Sequence, residues 1–150
     1  MASNGMTYQR LALLASETER AQEARAALLP QCDWVPLAEA DAAVVLGGDG
    51  FMLQVLHAML DADRVIPAYG MNLGTVGFLM NRYDKRAALL ARVNKARHWT
   101  ISPLRVEALT QDGETHVLSA INEISLLRET RQTAKIEVTV GDRVRIRELV

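Results

Sequence analysis

The sequence predicts an α/β domain built on a parallel sheet, followed by the start of an antiparallel β domain. Between residues 11 and 95, short apolar runs alternate with helical segments, which is the pattern of a parallel sheet with crossover helices. From about residue 100 onward, apolar and polar residues alternate one by one, which is typical of strands with one buried face. We therefore expect an α/β domain over residues 1–100 and the beginning of an all-β domain over residues 101–150.

Residues 11–30 predict the first strand and helix. Leu11 to Ala15 is an apolar run long enough for a buried strand. Ser16 and Glu19 then have the spacing of a capping box, and Pro30 is expected to end the helix. Small or apolar residues recur at helical spacing between them, at Ala21, Ala24 and Leu28.

The second and third strands are each followed by glycines. Ala42 to Leu46 is a strand-like run that ends in Gly47-Gly48-Asp49-Gly50. Phe51 to Leu60 predicts a deeply packed helix with one polar stripe. Val65 to Tyr69 predicts the third strand, which leads into the glycine-rich stretch Gly70 to Leu79. Lys85 to Lys95 is predicted to be helical.

Two hairpins are expected after residue 100. Asp112-Gly113 is a hairpin signal. In the second hairpin, a three-residue loop over 141–143, or a bulge, keeps Val138 opposite Ile146 on one face. The last strand ends at Val150 with its apolar face incomplete, so we expect the native chain to continue.

Composition excludes several classes of protein. The 150 residues are 49% hydrophobic and 23% charged, with a net charge of −1. These are values of a globular chain without the basic field that binds phosphate backbones, so we expect no nucleic-acid partner. No apolar run approaches the roughly 18 residues that span a bilayer, and no secretory signal is visible. We expect no membrane partner and a cytoplasmic location. Because Cys32 is the single cysteine, we expect no disulfide and no cysteine cluster for a metal.

Asp49 is the first candidate for chemistry. Glycines let the backbone approach a ligand, and the N–H groups at a helix start suit a phosphate. A carboxylate there is unusual. It is either an N-cap in a tight turn or a group that accepts a hydroxyl proton or faces a metal beside phosphate. The segment lacks the GxxxxGK[ST] and GxGxxG patterns, so P-loop and Rossmann hydride chemistry are unsupported.

Two further motifs are candidates for nucleotide binding. The glycines around Phe78 form either a flat wall for a base or a turn with Phe78 in the core. Asn122-Glu123 lies within the apolar run Leu118 to Leu127. This pair either reads a ribose diol and a purine edge or supplies polarity to an edge strand. His98 and His116 have no partners at metal spacing.

In this order, the three motifs resemble those of NAD kinases, the enzymes that phosphorylate NAD to NADP. The loop of residues 47–50 is shared with diacylglycerol kinases, sphingosine kinases and phosphofructokinases. The stretch Tyr69 to Leu79 and the pair Asn122-Glu123 make the match specific. The sequence around the motifs looks like that of the short bacterial members of the family. The resemblance runs from about Leu11 to Val150. It implies an α/β domain of the GGDG-loop kinase type.

The resemblance also implies roles for single residues. Asp49 matches the catalytic aspartate, which orients the adenosine ribose 2′-hydroxyl and is the proposed base. Phe78 matches an aromatic near the adenine, and Asn122 and Glu123 match the pair that holds the NAD adenosine. Glycines that match the loop against phosphate are Gly47, Gly48 and Gly50, of which Gly50 also borders NAD.

The family resemblance further implies ATP with a divalent metal, usually Mg²⁺, as the phosphoryl donor, and polyphosphate for some members. It implies a homo-oligomer, dimer or tetramer, assembled largely through the β domain. Family chains continue past this point into a second Asp-Gly segment and a loop rich in threonine and serine, so this chain is expected to be a fragment. Two alternatives stay open. One is a GGDG-loop kinase acting on a lipid or a sugar, and the other is a non-catalytic nucleotide-binding fragment.

Overall fold

A four-stranded sheet organises the first part of the molecule. The computed structural model describes residues 7–84 and 88–150. The strands lie in the order β1-β2-β3-β4, and each neighbouring pair runs parallel, so the predicted parallel sheet is confirmed. Their bounds are β1 Leu11–Ala15, β2 Ala42–Gly47, β3 Ala68–Asn72 and β4 Asn81–Arg82.

Helices cover both faces of this sheet. They are α1 (Glu19–Leu28), α2 (Asp49–Asp61) and α3 (Leu89–Lys95). Because successive residues of a strand point to opposite faces, Val44 packs with α1 and α3, whereas Val45 packs with α2. Strand β2 is buried along its whole length. This double burial explains why its sequence is a continuous apolar run instead of an alternating one.

The first helix begins differently from the predicted capping box. Thr18 is its N-cap, without a side-chain cap, and the Ser16 hydroxyl lies 3.1 Å from the Thr18 hydroxyl. The Ser16 N–H donates to the carbonyl of Leu46 at 2.9 Å, which extends the β1–β2 ladder. The capping-box prediction is therefore wrong, because the sheet holds Ser16. The helical spacing of Ala21, Ala24 and Leu28 is confirmed, since all three are buried residues of α1, and the helix ends before Pro30.

The third strand begins three residues later than predicted. Pro67 has no N–H to donate to a ladder, and the pairing of β3 with β2 starts at Ala68. Gly70 and Asn72, which belong to the stretch predicted to follow the strand, are therefore strand residues. Arg64, before the strand, donates to the carbonyls of Leu37 and Ala40, each at 2.8 Å. The predicted helix over 85–95 is observed as α3, and residues 85–87 lie outside the described residues.

Tyr8 connects the start of the sheet to the segment after α3. Its backbone N–H donates to Asn94 Oδ1 at 2.8 Å, and its hydroxyl lies 2.9 Å from His98 Nε2. Tyr8 is buried, and this burial raises the pKa of its hydroxyl. These contacts hold the chain where it leaves the α/β part.

Two antiparallel hairpins follow residue 100, as predicted. They are formed by β5 (Leu104–Leu109) with β6 (Thr115–Ala120), and by β7 (Ile136–Val140) with β8 (Arg143–Leu149). Gly113 has φ +88° in the first turn, as the Asp-Gly signal requires. Many apolar side chains of the hairpins are exposed. The boundary between two domains near residue 100 stays a prediction.

The second hairpin keeps the predicted face by a bulge. Val138 pairs with Ile146, as expected, but Val140 pairs with Arg143 across a two-residue loop. The register shifts between Val138 and Thr139, and this irregularity restores the apolar pair. The bulge is confirmed, and the three-residue loop is wrong.

Within the described ranges, no helix has the length and apolarity to cross a membrane.

Candidate functional site

The Gly-Gly-Asp-Gly loop lies where β2 turns into α2. Gly48 is the N-cap of α2, with extended angles of φ −115° and ψ −177° and no side-chain cap. Asp49 is the first helical residue and is half-buried. The interpretation of Asp49 as an N-cap is therefore wrong, because Gly48 occupies that position. The carboxylate of Asp49 is left to bond elsewhere.

The Asp49 carboxylate binds the second glycine-rich motif. Its Oδ2 accepts a hydrogen bond from the N–H of Phe78 at 2.8 Å, and its Oδ1 accepts one from the N–H of Leu79 at 2.9 Å. These partners are 29 and 30 residues away in the chain, so the two motifs form one site. A carboxylate has about four lone-pair positions, and bonds from the described residues occupy two of them at Asp49.

The loop that reaches Asp49 begins at the end of β3. The N–H of Leu73 donates to the carbonyl of Gly47 at 2.7 Å, and the N–H of Gly74 donates to Asn72 Oδ1 at 2.9 Å. Sequence reasoning did not single out Asn72. The available signal was an amide side chain where a parallel strand ends, which is the edge at which such sheets bind ligands.

Some glycines of the two motifs are required by packing. A methyl group built at Gly47 would lie 3.1 Å from the Phe51 side chain. One at Gly70 would overlap the Met80 thioether and lie 2.6 Å from Met52 Cε. These two glycines therefore let α2 and residue 80 pack close to the sheet.

Gly48 and Gly50 are different, because packing does not require them. A methyl group built at either position meets no atom within 4 Å, and neither has a positive φ. Glycine in a helix is less stable than alanine by about 1 kcal/mol, so Gly50 lowers helix stability without a packing reason. The open space beside both residues is available to a ligand that approaches the backbone.

Phe78 borders a groove and is not part of a core. Its side chain is 91% exposed, so the alternative of a buried Phe78 is wrong. The groove has a volume of about 1190 Å³. Residues from several parts of the chain line it, among them Tyr69, Phe78, Leu79, Trp99 and Ile121. An exposed aromatic ring beside a groove of this size provides a stacking surface for a planar group.

Asn122 and Glu123 follow directly after β6. Both are exposed, and the strand ends at Ala120, so they do not lie on an edge strand. Strand β6 contacts α2, and Ile121 lines the groove together with Phe78. Neither Asn122 nor Glu123 itself lines the groove, and no bond between the pair and Asp49 is observed within the described residues.

The remaining polar candidates have local roles. His98 contacts Tyr8, and His116 lies 3.6 Å from Glu114. Burial raises the pKa of the Cys32 thiol. Over residues 7–84 and 88–150, no three His, Cys, Asp or Glu side chains gather closely enough to hold a metal ion.

Comparison with known proteins gives consistent matches. Residues 5–98 match the family described as ATP-NAD kinase N-terminal domain. The NAD kinase of Rhizorhabdus wittichii is 57% identical over 145 residues, which are 97% of this chain and 56% of that protein. The NAD kinase of Zymomonas mobilis is 50% identical over the same shares. The NAD kinase of Caulobacter vibrioides is 46% identical over 94% of this chain and 53% of its own. The chain thus spans about half the length of the curated relatives it matches.

Proposed function

Because the chain belongs to the ATP-NAD kinase family, we propose that it is part of an enzyme that transfers phosphate from ATP to NAD. The acceptor is the adenosine ribose 2′-hydroxyl, and the products are NADP and ADP. The observation that supports this best is the pair of hydrogen bonds to the Asp49 carboxylate. Through these bonds the second glycine-rich motif binds the carboxylate of the first at the end of the sheet.

Asp49 acts on the acceptor hydroxyl. A ribose hydroxyl is a poor nucleophile, and a carboxylate within hydrogen-bond reach assists it by accepting its proton. As the hydroxyl oxygen bonds to the γ-phosphorus, the bond from that phosphorus to the β–γ bridging oxygen breaks and ADP leaves. Such transfer depends mainly on positioning and charge neutralisation. The two N–H bonds from Phe78 and Leu79 supply the positioning of the carboxylate.

Phosphate groups approach the loop of residues 47–50. Met52 donates the first hydrogen bond of α2, to Gly48, so the N–H groups before it have no acceptor in the helix. Helix N-termini of this kind attract phosphate. The open space at Gly48 and Gly50 lets a phosphate reach these groups.

The adenosine of NAD lies in the groove beside Phe78. The exposed ring of Phe78 offers a face for the adenine. Asn122 and Glu123 combine amide donors with carboxylate acceptors, which suit a purine edge and a ribose diol. Both side chains are exposed outside regular secondary structure, and the residue before them, Ile121, lines the groove.

The residues present are compatible with a Mg²⁺ ion that binds together with ATP. Mg²⁺ is usually held by one or two carboxylates together with substrate phosphates and water, so a site without a dedicated ligand cluster suits it. Asp49 is the carboxylate of this site that would face it. When bound, Mg²⁺ neutralises charge on the transferred phosphate. A cytoplasmic location and a dimer or tetramer are further proposals from the family.

A coupled NADP-formation assay with NAD, ATP and Mg²⁺ tests the proposal. It is run on this chain and on a full-length protein that carries this sequence, each beside its Asp49→Asn variant. We expect turnover to fall by about 100-fold or more in the variant, the scale of a lost general base, with NAD binding nearly unchanged. Near-normal turnover in full-length Asp49→Asn would remove Asp49 from the chemistry. Thermal stabilisation of the short chain by NAD without turnover would assign it binding alone.

A further inference from the structure

Asn72 occupies the last position of β3 and is connected to Asp49 through the loop of residues 73–79. We propose that Asn72 is a positioning residue for the Asp49 carboxylate. This inference rests on the proposed function. Its basis is a continuous set of contacts that runs from the Asn72 amide, through the loop, to the two N–H groups that bind Asp49.

The first contacts fix where the loop leaves the sheet. Asn72 pairs with Gly47 in the β2–β3 register, and the next N–H, that of Leu73, donates to the Gly47 carbonyl at 2.7 Å. Asn72 Oδ1 then accepts from the N–H of Gly74 at 2.9 Å. The loop therefore starts against the strand that carries Asp49, and the Asn72 amide makes its first turn.

The next contact is at the far side of the loop. A methyl group built on Gly77 would lie 2.9 Å from Asn72 Cγ and 3.0 Å from Asn72 Nδ2. The chain at Gly77 therefore lies directly against the Asn72 side chain. The two residues that follow are Phe78 and Leu79, whose N–H groups hold Asp49.

The consequence is control over the direction of the carboxylate. Each Asp49 oxygen accepts from one of two consecutive N–H groups, so a shift of the loop turns the carboxylate plane. A misplacement of about 1 Å at a reacting group can cost about 100-fold in rate. Loss of the Asn72 amide should therefore act on turnover more than on NAD binding, because the groove surfaces remain.

The test uses a full-length protein that carries this sequence, with kinetics and amide hydrogen exchange. For Asn72→Ala we expect kcat to fall by about 10- to 100-fold, with a KM for NAD within about threefold. We expect exchange at the Phe78 and Leu79 amides to accelerate by about tenfold, with exchange in β1 and β2 unchanged. Asn72→Ser keeps an oxygen that accepts from an N–H two residues on, so it should recover part of kcat.

Thr110→Ala is the matched control, because Thr110 Oγ1 also accepts a backbone N–H, that of Glu114, in an exposed turn that does not line the groove. It should leave kcat unchanged. Unaltered exchange at Phe78 and Leu79 in Asn72→Ala would overturn the inference, as would faster exchange throughout the sheet. The exchange result does not depend on turnover. A failure of Asp49→Asn to reduce NADP formation is therefore a separate result, which concerns the proposed function.

Discussion

Gly50→Ala separates what the fold requires at the start of α2 from what a ligand requires. Gly50 is exposed in the first turn of the helix. A methyl group at this position meets no atom within 4 Å, so the substitution is compatible with the native backbone. Alanine also has fewer unfolded conformations to lose than glycine.

The substitution is expected to raise the stability of the protein and to lower its activity. The substitution should raise the free energy of unfolding by about 0.4–1 kcal/mol, which corresponds to a Tm increase of about 1–4 °C for a chain of this size. If phosphate lies against the Gly50 backbone, the same methyl group collides with it. We expect kcat/KM for ATP to fall at least about tenfold, which corresponds to about 1.4 kcal/mol of transition-state stabilisation.

Calorimetry and the NADP-formation assay, both on a full-length protein that carries this sequence, measure the two effects. Gly113→Ala is the control, because Gly113 has φ +88° in an open turn. That variant should lose about 1 kcal/mol of stability and keep its kcat/KM. A Gly50→Ala enzyme with raised Tm and undiminished kcat/KM for ATP would refute the reasoning that a ligand requires this glycine.

Two further predictions concern stability. Gly70→Ala places a methyl group against the thioether of Met80 and the end of Met52, so chemical denaturation should show a loss of about 1–3 kcal/mol, and no loss would show that the methionines move aside freely. Hydrogen bonds from Arg10 lower the pKa of the Asp41 carboxyl. The Asp41 carboxylate therefore stabilises the fold fully above the ordinary carboxyl pKa of about 4. This stabilisation is lost as the pH falls through the lowered pKa of Asp41. In urea unfolding between about pH 6 and 3, Asp41→Asn should reduce the pH dependence, and an unchanged dependence would contradict this assignment.

The elements that local pattern specifies were predicted well. Strand β1 matches its predicted bounds, and β2 extends one residue beyond its own, because a run of buried apolar residues leaves few alternatives. Predictions failed where a distant partner decides the outcome. The Ser16 N–H bonds to the Leu46 carbonyl in the sheet, so Ser16 does not form the predicted capping box. The two-residue strand β4 is too short to carry a periodicity.

The candidate site was predicted as residue types and not as contacts. The order of motifs led to the prediction of these site residues, and the structure brings two of them, Asp49 and Phe78, together. The Asp49 carboxylate binds two backbone N–H groups. Nearly every residue has such a group, so no residue type in the sequence indicates this contact. For the same reason, the contact of Asn72 with Gly77 follows only from the path of the loop.

The bonds between Asp49 and the loop of residues 73–79 also set the order in which this site forms during folding. Their partners are 29 and 30 residues apart, and they come together when β2, which precedes Asp49, pairs in parallel with β3, which follows α2. Parallel pairing closes a long segment of chain before its contacts compensate the lost entropy. We therefore expect a partly folded chain, in which β2 and β3 have not yet paired, to have the glycine loop without an oriented Asp49.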